Sequence, residues 1–409
     1  QRELDALAAA GVTSLRVLGA SEGSSSSPLQ VVPTLQPSPG VFNETLARGL
    51  DLVLHEMGLR GMKAVLVLNN MWSWSGGFAQ YLAWARGETW RRIPYPPAPG
   101  YWAQRADEGR SAITNASWDD FQMWTSDFFE SREAVALASA TVHWLATRRN
   151  SISRLRYRDD PAILAWELCN EPRAVAAAAA RPQRQAAFMQ WVSSTAALIK
   201  RLAPRQLVTI GSEGWTPYED YVNVNYTAAH LDPNVDFLTV HVWPQNWDWY
   251  DPAGSMRVAL ERSREYLARH IASARAINKP LLLEEFGLVR DGGRYDLRGS
   301  ADRRHEFYSA LIRQAAAAPE VFGITPWAWG GEGRPRVAGG WWAPRDDVIG
   351  DPPHELQGWY SIFDTDTATL QLLSLGFGLA RTPAPPASPP APPPPPDTRP
   401  LSPPPPPPP

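Results

Sequence analysis

Residues 162–173 read Ala-Ile-Leu-Ala-Trp-Glu-Leu-Cys-Asn-Glu-Pro-Arg. The run Ala162–Trp166 is apolar without alternation, the pattern of a strand buried on both faces. It gives way to Asn170-Glu171-Pro172. There the proline removes a backbone donor and fixes φ, so the strand stops. This reading puts a carboxylate at the C-terminal tip of a buried parallel strand, with an amide side chain just before it. In a (β/α)8 barrel, chemistry sits at that tip. An isolated Asn-Glu-Pro also fits a plain turn in which Glu171 pairs with Arg173, and the motif alone does not choose between the two.

A second stretch has the same construction. Lys279–Leu288 reads Lys-Pro-Leu-Leu-Leu-Glu-Glu-Phe-Gly-Leu, a proline, a short apolar strand, then acidic residues and a glycine. Two buried strands, far apart in the chain and each ending in a carboxylate, fit two-carboxylate glycoside hydrolysis. The pair Asn170-Glu171-Pro172 and Glu285-Phe286-Gly287 resembles glycoside hydrolase family five, in its endo-β-1,4-mannanase branch. The resemblance runs from the first residues to about Leu373. It implies that Glu171 is the general acid/base and Glu285 the nucleophile of a retaining enzyme, with carboxylates about 5–5.5 Å apart. Glu284 competes for the nucleophile's role. Side chains alternate along a strand, so only one of Glu284 and Glu285 is expected to face the barrel axis. The family's nucleophile stands directly before Phe-Gly, which selects Glu285. Proximity to ionised Glu285 is expected to raise the pKa of Glu171.

The resemblance extends to binding residues. It implies that Arg16 orients the catalytic carboxylates, since a buried Arg in a strand needs such partners. Asn170 is expected to bond the sugar 2-OH or the nucleophile, and His241 to be the active-site histidine. Trp327 is expected to floor the sugar next to the scissile bond, with Trp329, Trp341 and Trp342 as weaker candidates. The loop Asn69–Gly77 resembles the family's substrate-side loop, so Trp72 and Trp74 are cleft candidates. Many relatives carry Tyr two residues after the histidine. Here the position is Trp243, whose indole N–H is still a donor.

Around these motifs, strands alternate with helical patterns, which indicates a parallel α/β sheet. Strands are expected at Thr13–Leu18, Lys63–Leu68, Ala162–Trp166, Leu207–Ile210, Phe237–Val240, the Glu285 stretch and Gly323–Trp329. That makes about seven, and a closed barrel needs eight. The expected fold is therefore a (β/α)8 TIM barrel lacking its first strand, which would lie upstream of Gln1. Residues 1–375 form the catalytic domain. Residues 376–409 form a Pro-rich, low-complexity tail, expected as an extended polyproline II rod that associates with a cell wall.

Composition narrows the classes. The 19 Trp suggest aromatic platforms in addition to core. A formal charge of -3 leaves no basic footprint for nucleic acid. No apolar run reaches the ~18 residues of a membrane span. The 1 Cys, Cys169, excludes an internal disulfide and reads as a small buried hydrophobe. Three sequons, at Asn43, Asn115 and Asn225, favour a secreted glycoprotein. No signal peptide is visible, and the N-terminus reads as truncated. No metal cluster or nucleotide loop is visible, so no cofactor is expected, and a monomer acting on β-mannan is the partner reading. Two readings stay open beside it: an endo-β-1,4-glucanase on the same scaffold, and a non-catalytic wall-binding protein.

Overall fold

Short apolar strands returned by helices give a parallel α/β arrangement, seen in a computed structural model that describes residues 1–27, 30–95 and 116–379. The Asn115 sequon and nearly all of the Pro-rich tail lie outside the described residues. The strands in chain order are β1 Ser14–Leu18, β2 Lys63–Val67, β3 Ile163–Glu167, β4 Leu207–Thr209, β5 Leu238–Val242, β6 Leu281–Phe286 and β7 Val321–Ile324. β1 to β4 form one parallel sheet and β5 to β7 another. Backbone bonds from Asp236 N–H to Val208 O and from His241 N–H to Glu213 O carry the ring from β4 to β5. The expected strand Gly323–Trp329 is two: β7, then β8 Trp329–Gly331, which pairs with β9 Ile362–Phe363.

Parallel neighbours require crossovers. Helices Glu44–Leu59, Arg132–Thr147, Arg181–Leu202, Arg257–Ile277 and Asp302–Ala316 supply them. Asn43 starts the first by accepting from the Thr45 and Leu46 N–H groups. Ser131 caps the second through Ala134 N–H.

Alternation sorts the strand side chains. Leu66, Trp166, Leu238 and Leu283 join the clusters packed beneath the helices, whereas Val65, Ala165, Phe237 and Leu282 meet as an apolar plug. β6 departs from simple alternation. Leu283 pairs with Val240 and Glu285 with His241, so Glu284 is an extra residue in a bulge. Glu284 and Glu285 therefore both reach the cations inside the ring. The expectation that only one could do so fails at this bulge.

Among the described residues no ladder joins β7 to β1, so the ring is open there. A cavity of about 570 Å³ lies at this seam, lined by Leu15 and Val17 on one side and Ile324 and Trp329 on the other. Helix Arg2–Ala9 reaches over it: Glu3 accepts from Trp329 Nε1–H at 2.5 Å and from Glu332 N–H at 2.8 Å.

Candidate active site

The chain beyond β3 is held on both sides by backbone bonds. Asn170 N–H donates to Asn69 O and Glu171 N–H donates to Gly211 O, both at 2.9 Å. Gly211 is required at this contact, because its φ is +81° and a Cβ would lie 2.0 Å from Cys169 O. Glu171 itself takes a φ of 51°. A left-handed conformation costs an ordinary residue about 1–2 kcal/mol, and such strain persists where surrounding bonds over-determine it. The result aims the Glu171 carboxylate into the cleft. It accepts from Trp72 Nε1–H at 2.7 Å and meets His241 Nδ1 at 2.6 Å.

Glu285 arrives from β6 on the opposite side. Arg16 Nη1 donates to its Oε1, and its Oε2 lies 3.2 Å from His241 Nδ1. One oxygen of Glu171, one of Glu285 and a His241 nitrogen all lie within 4.8 Å of one another. That spacing is near the retaining value of about 5–5.5 Å and well short of the roughly 6.5–9.5 Å of inverting enzymes.

Arg16 is the hub beneath them. Its Nε and Nη2 fork onto Glu167 at 2.8 and 2.5 Å, and Nη2 also donates to Asn170 Oδ1 at 2.8 Å. Its Nε lies 3.7 Å from Glu284. Four buried carboxylates thus surround two cationic side chains, Arg16 and His241. The excess negative charge changes which of these groups hold protons. Burial, with Glu284 nearby, pushes Glu167 up to about 8 in spite of Arg16. Burial opposes a charge on His241, but Glu285, Glu171 and Glu284 together hold its pKa well above the ordinary value.

Glu171 runs against the sequence argument. Burial pushes its pKa up, yet the His241 hydrogen bond and charge, with Arg173 and Trp72, hold it down to about 2. The expectation of a raised value considered only the Glu285 charge. The imidazole, 2.6 Å away, is the closer group and carries the opposite sign.

A cavity of about 460 Å³ opens above the carboxylates, and Trp72, Trp74, Asn170, Trp243 and Trp327 line it. Trp243 packs against Tyr360 with ring centroids 4.8 Å apart. Among the described residues no hydrogen bond joins Trp243 to Glu285. Trp329, Trp341 and Trp342 do not line this cleft; Trp329 is tied to Glu3 at the seam. Arg173 does not pair with Glu171 by hydrogen bond. It forks onto Glu213 at 2.6 and 2.9 Å and lies over Trp72 at 4.8 Å.

Sequence reasoning missed one wall. Residues 351–361 form a stitched loop in which Asp351 accepts from Gly358 N–H, Tyr360 N–H and Ser361 Oγ–H. Gln357 Nε2 donates to the Asp351, Pro352 and Glu355 carbonyls. The loop presents His354, Glu355 and Trp359 to the cleft. Glu355 Oε2, His354 Nδ1 and Trp359 Nε1 are buried without a protein partner. Burial, with Asp351, Glu171 and Glu285 nearby, pushes the Glu355 pKa well up. The loop has no periodicity, and the only signal in sequence is a His-Glu pair after Pro352-Pro353.

Among the described residues, Glu171, His241 and Glu285 are the one group spaced to hold a metal ion. Their atoms are already engaged with Arg16, Trp72 and each other, which suits a proton-transferring pair better than an ion cage.

Comparison with known proteins agrees with this geometry. The sequence profile described as GH family 5 beta-mannosidase-like matches residues 1–375. Putative mannan endo-1,4-beta-mannosidase 9 of Oryza sativa subsp. japonica is 34% identical over 290 residues, 69% of this chain and 61% of that protein. Mannan endo-1,4-beta-mannosidase 4 of the same plant is 33% identical over 265 residues, 62% of this chain and 49% of that protein. The chain thus spans less than two thirds of either relative. A glycoside hydrolase family 5 mannosidase from Rhizomucor miehei superposes with a TM-score of 0.79 and 31% identity, covering 93% of this chain and 86% of that one. A mutant of a Rhizomucor miehei family 5 mannosidase was solved in complex with mannosyl-fructose. The match over residues 1–375 means that this chain belongs to glycoside hydrolase family 5, within its β-mannosidase-like group.

Proposed function

We propose that the chain hydrolyses β-1,4-mannosidic bonds with retention, by double displacement on two glutamates. The observation that carries this reading is the approach of Glu171 and Glu285 within 4.8 Å of each other, bridged by His241. Glu285 attacks the anomeric carbon while the leaving oxygen takes a proton from Glu171. That proton comes from the 2.6 Å contact with His241 Nδ1. The C–O bond breaks and a glycosyl-enzyme forms. Water then attacks the same carbon, Glu171 receives its proton, and Glu285 is released. Arg16 holds Glu285 in place throughout by a charge-assisted hydrogen bond. The scaffold is read as a family (β/α)8 barrel, open at one seam in this chain.

Mannan, galactomannan or glucomannan are the substrates of this reading, which the names of the two rice relatives support. A specific observation favours a second one. His354, Glu355 and Trp359 crowd one wall of the cleft with unpaired polar atoms, and Trp118 meets His354 edge-on at 5.8 Å. We read this wall as a barrier at one end of the cleft, which would suit removal of single mannosyl units from short chains. The test is hydrolysis of galactomannan, of reduced mannotetraose and of carboxymethylcellulose, with Glu285→Ala as control. Falling polymer viscosity supports endo action, free mannose without viscosity loss supports exo action, and cellulose cleavage alone supports a glucanase. Binding without any cleavage supports the non-catalytic alternative. Inverted product stereochemistry would end the double-displacement reading.

Secretion and wall association belong to the same proposal. Asn43 and Asn225, two of the three sequon residues, both cap helices, and Asn225 is exposed. Expression through a secretory pathway, followed by glycosidase treatment, tests glycosylation. Deletion of residues 380–409 tests wall retention.

A further inference from the structure

Glu284 has no role in the two-glutamate scheme, yet it is almost wholly buried beside the reacting groups. The bulge in β6 is what brings it there. Its Oε2 lies 3.1 Å from His241 Nε2, while the opposite ring nitrogen, Nδ1, faces Glu171 at 2.6 Å and Glu285 at 3.2 Å. The imidazole is therefore held between carboxylates at both ends, and among the described residues Glu284 is the one that reaches Nε2.

We propose that Glu284 is a positioning residue that fixes the Nε2–H form of His241, so that the exchangeable proton of the site lies on the Nδ1 side, between His241 and Glu171. This rests on the two-glutamate reading above. An acceptor-only carboxylate at Nε2 requires a donor there. With Nε2–H fixed, any further proton on the ring must sit on Nδ1, facing the group that protonates the leaving oxygen. A histidine's second nitrogen is set by such a partner. The charge of Glu284 also favours keeping that proton.

Every charged group that packs on His241 acts in this balance. Glu171 and Glu167 come from the β3 side, Glu284 and Glu285 from β6, Glu213 from beyond β4, and Arg16 from β1. Two arginines offset them among the described residues: Arg16 forks onto Glu167 and bonds Glu285, and Arg173 forks onto Glu213 and lowers Glu171. Glu284 Oε2 meets His241, and the Glu167 carboxyl also bonds Glu284, so both neighbours favour its ionised form.

The test pairs two variants with a measurement on the unaltered enzyme. In Glu284→Gln, kcat falls about tenfold with KM within about twofold, in line with the loss of a carboxylate partner behind a functional histidine. Removing a negative charge also releases the shared proton earlier, so the alkaline limb of the rate profile moves down by about one pH unit. Glu284→Asp keeps the charge and leaves that limb in place. In the wild type labelled with nitrogen-15 histidine, and assigned by comparison with His241→Asn, Nε2 of His241 is protonated across the folded pH range. An unmoved limb in folded Glu284→Gln, or an unprotonated Nε2, overturns the proposal. Should Glu284→Gln fail to fold, the nitrogen measurement decides. A wild type inactive on every mannoside defeats the two-glutamate reading instead, and the nitrogen result still judges Glu284.

Discussion

Two buried arginine clusters in this molecule look alike by burial and differ in how their charges are matched. Arg148 forks onto Asp51 at 2.9 and 2.8 Å, and Tyr157 O–H and Ser151 N–H complete the acceptor at 2.6 and 3.0 Å. Each oxygen of that carboxylate has two donors. Arg16 instead shares its donors among Glu167, Glu285 and Asn170, with Glu284 at 3.7 Å. Carboxylates outnumber cations there, Glu284 Oε1 has no N–H donor within hydrogen-bond distance, and Glu171 nearby holds a left-handed backbone. The first cluster is fully satisfied, as structural ion pairs tend to be. The second holds unresolved charge, which marks sites that move protons.

The contrast can be broken by substitution, and the largest effect is expected at the site. Glu285→Gln should lower activity by about 10⁴-fold or more, while the melting temperature stays level or rises. Calorimetry alongside assays checks both, and a large loss of stability would erase the distinction. Asp51→Asn should do the reverse. Breaking a buried pair costs about 3–5 kcal/mol, so melting should fall by several degrees while activity at 25 °C stays within about twofold.

A smaller effect sharpens the picture of the unpaired wall. Glu355→Gln should raise KM about tenfold on short mannosides and leave stability nearly unchanged, because its Oε2 has no protein partner to lose. Equal kinetics would show that this wall does not touch the sugar. The smallest effect is in acid. Burial would raise Asp51, but Arg148, Tyr157 and Ser151 hold it at about 2, below its ordinary 3.8. A carboxyl held low lends stability above its ordinary value and loses it as pH falls toward the folded value. The melting gap between wild type and Asp51→Asn should therefore narrow between about pH 4 and pH 2.

Much of this was legible because proline and glycine punctuate the strands. Pro172 and Pro280 mark two buried runs, and the family resemblance at Asn170-Glu171-Pro172 and Glu285-Phe286-Gly287 then picked out Glu171 and Glu285. The open seam followed from counting strands. Three things were not legible. The bulge at Glu284 depends on pairing with Val240 and His241, which no local pattern records. The low pKa of Glu171 depends on which charge lies nearest after folding. The His354–Trp359 wall comes from a loop whose shape is set by Asp351 and Gln357 bonds, not by period.

Arg16 sits on β1, the strand that borders the seam and has a ladder on one side only. The residue that steadies the reacting carboxylates is therefore carried by one of the least braced parts of the ring. One guanidinium grips Glu167, Glu285 and Asn170 together, so a small tilt of β1 would shift all three in concert rather than one at a time.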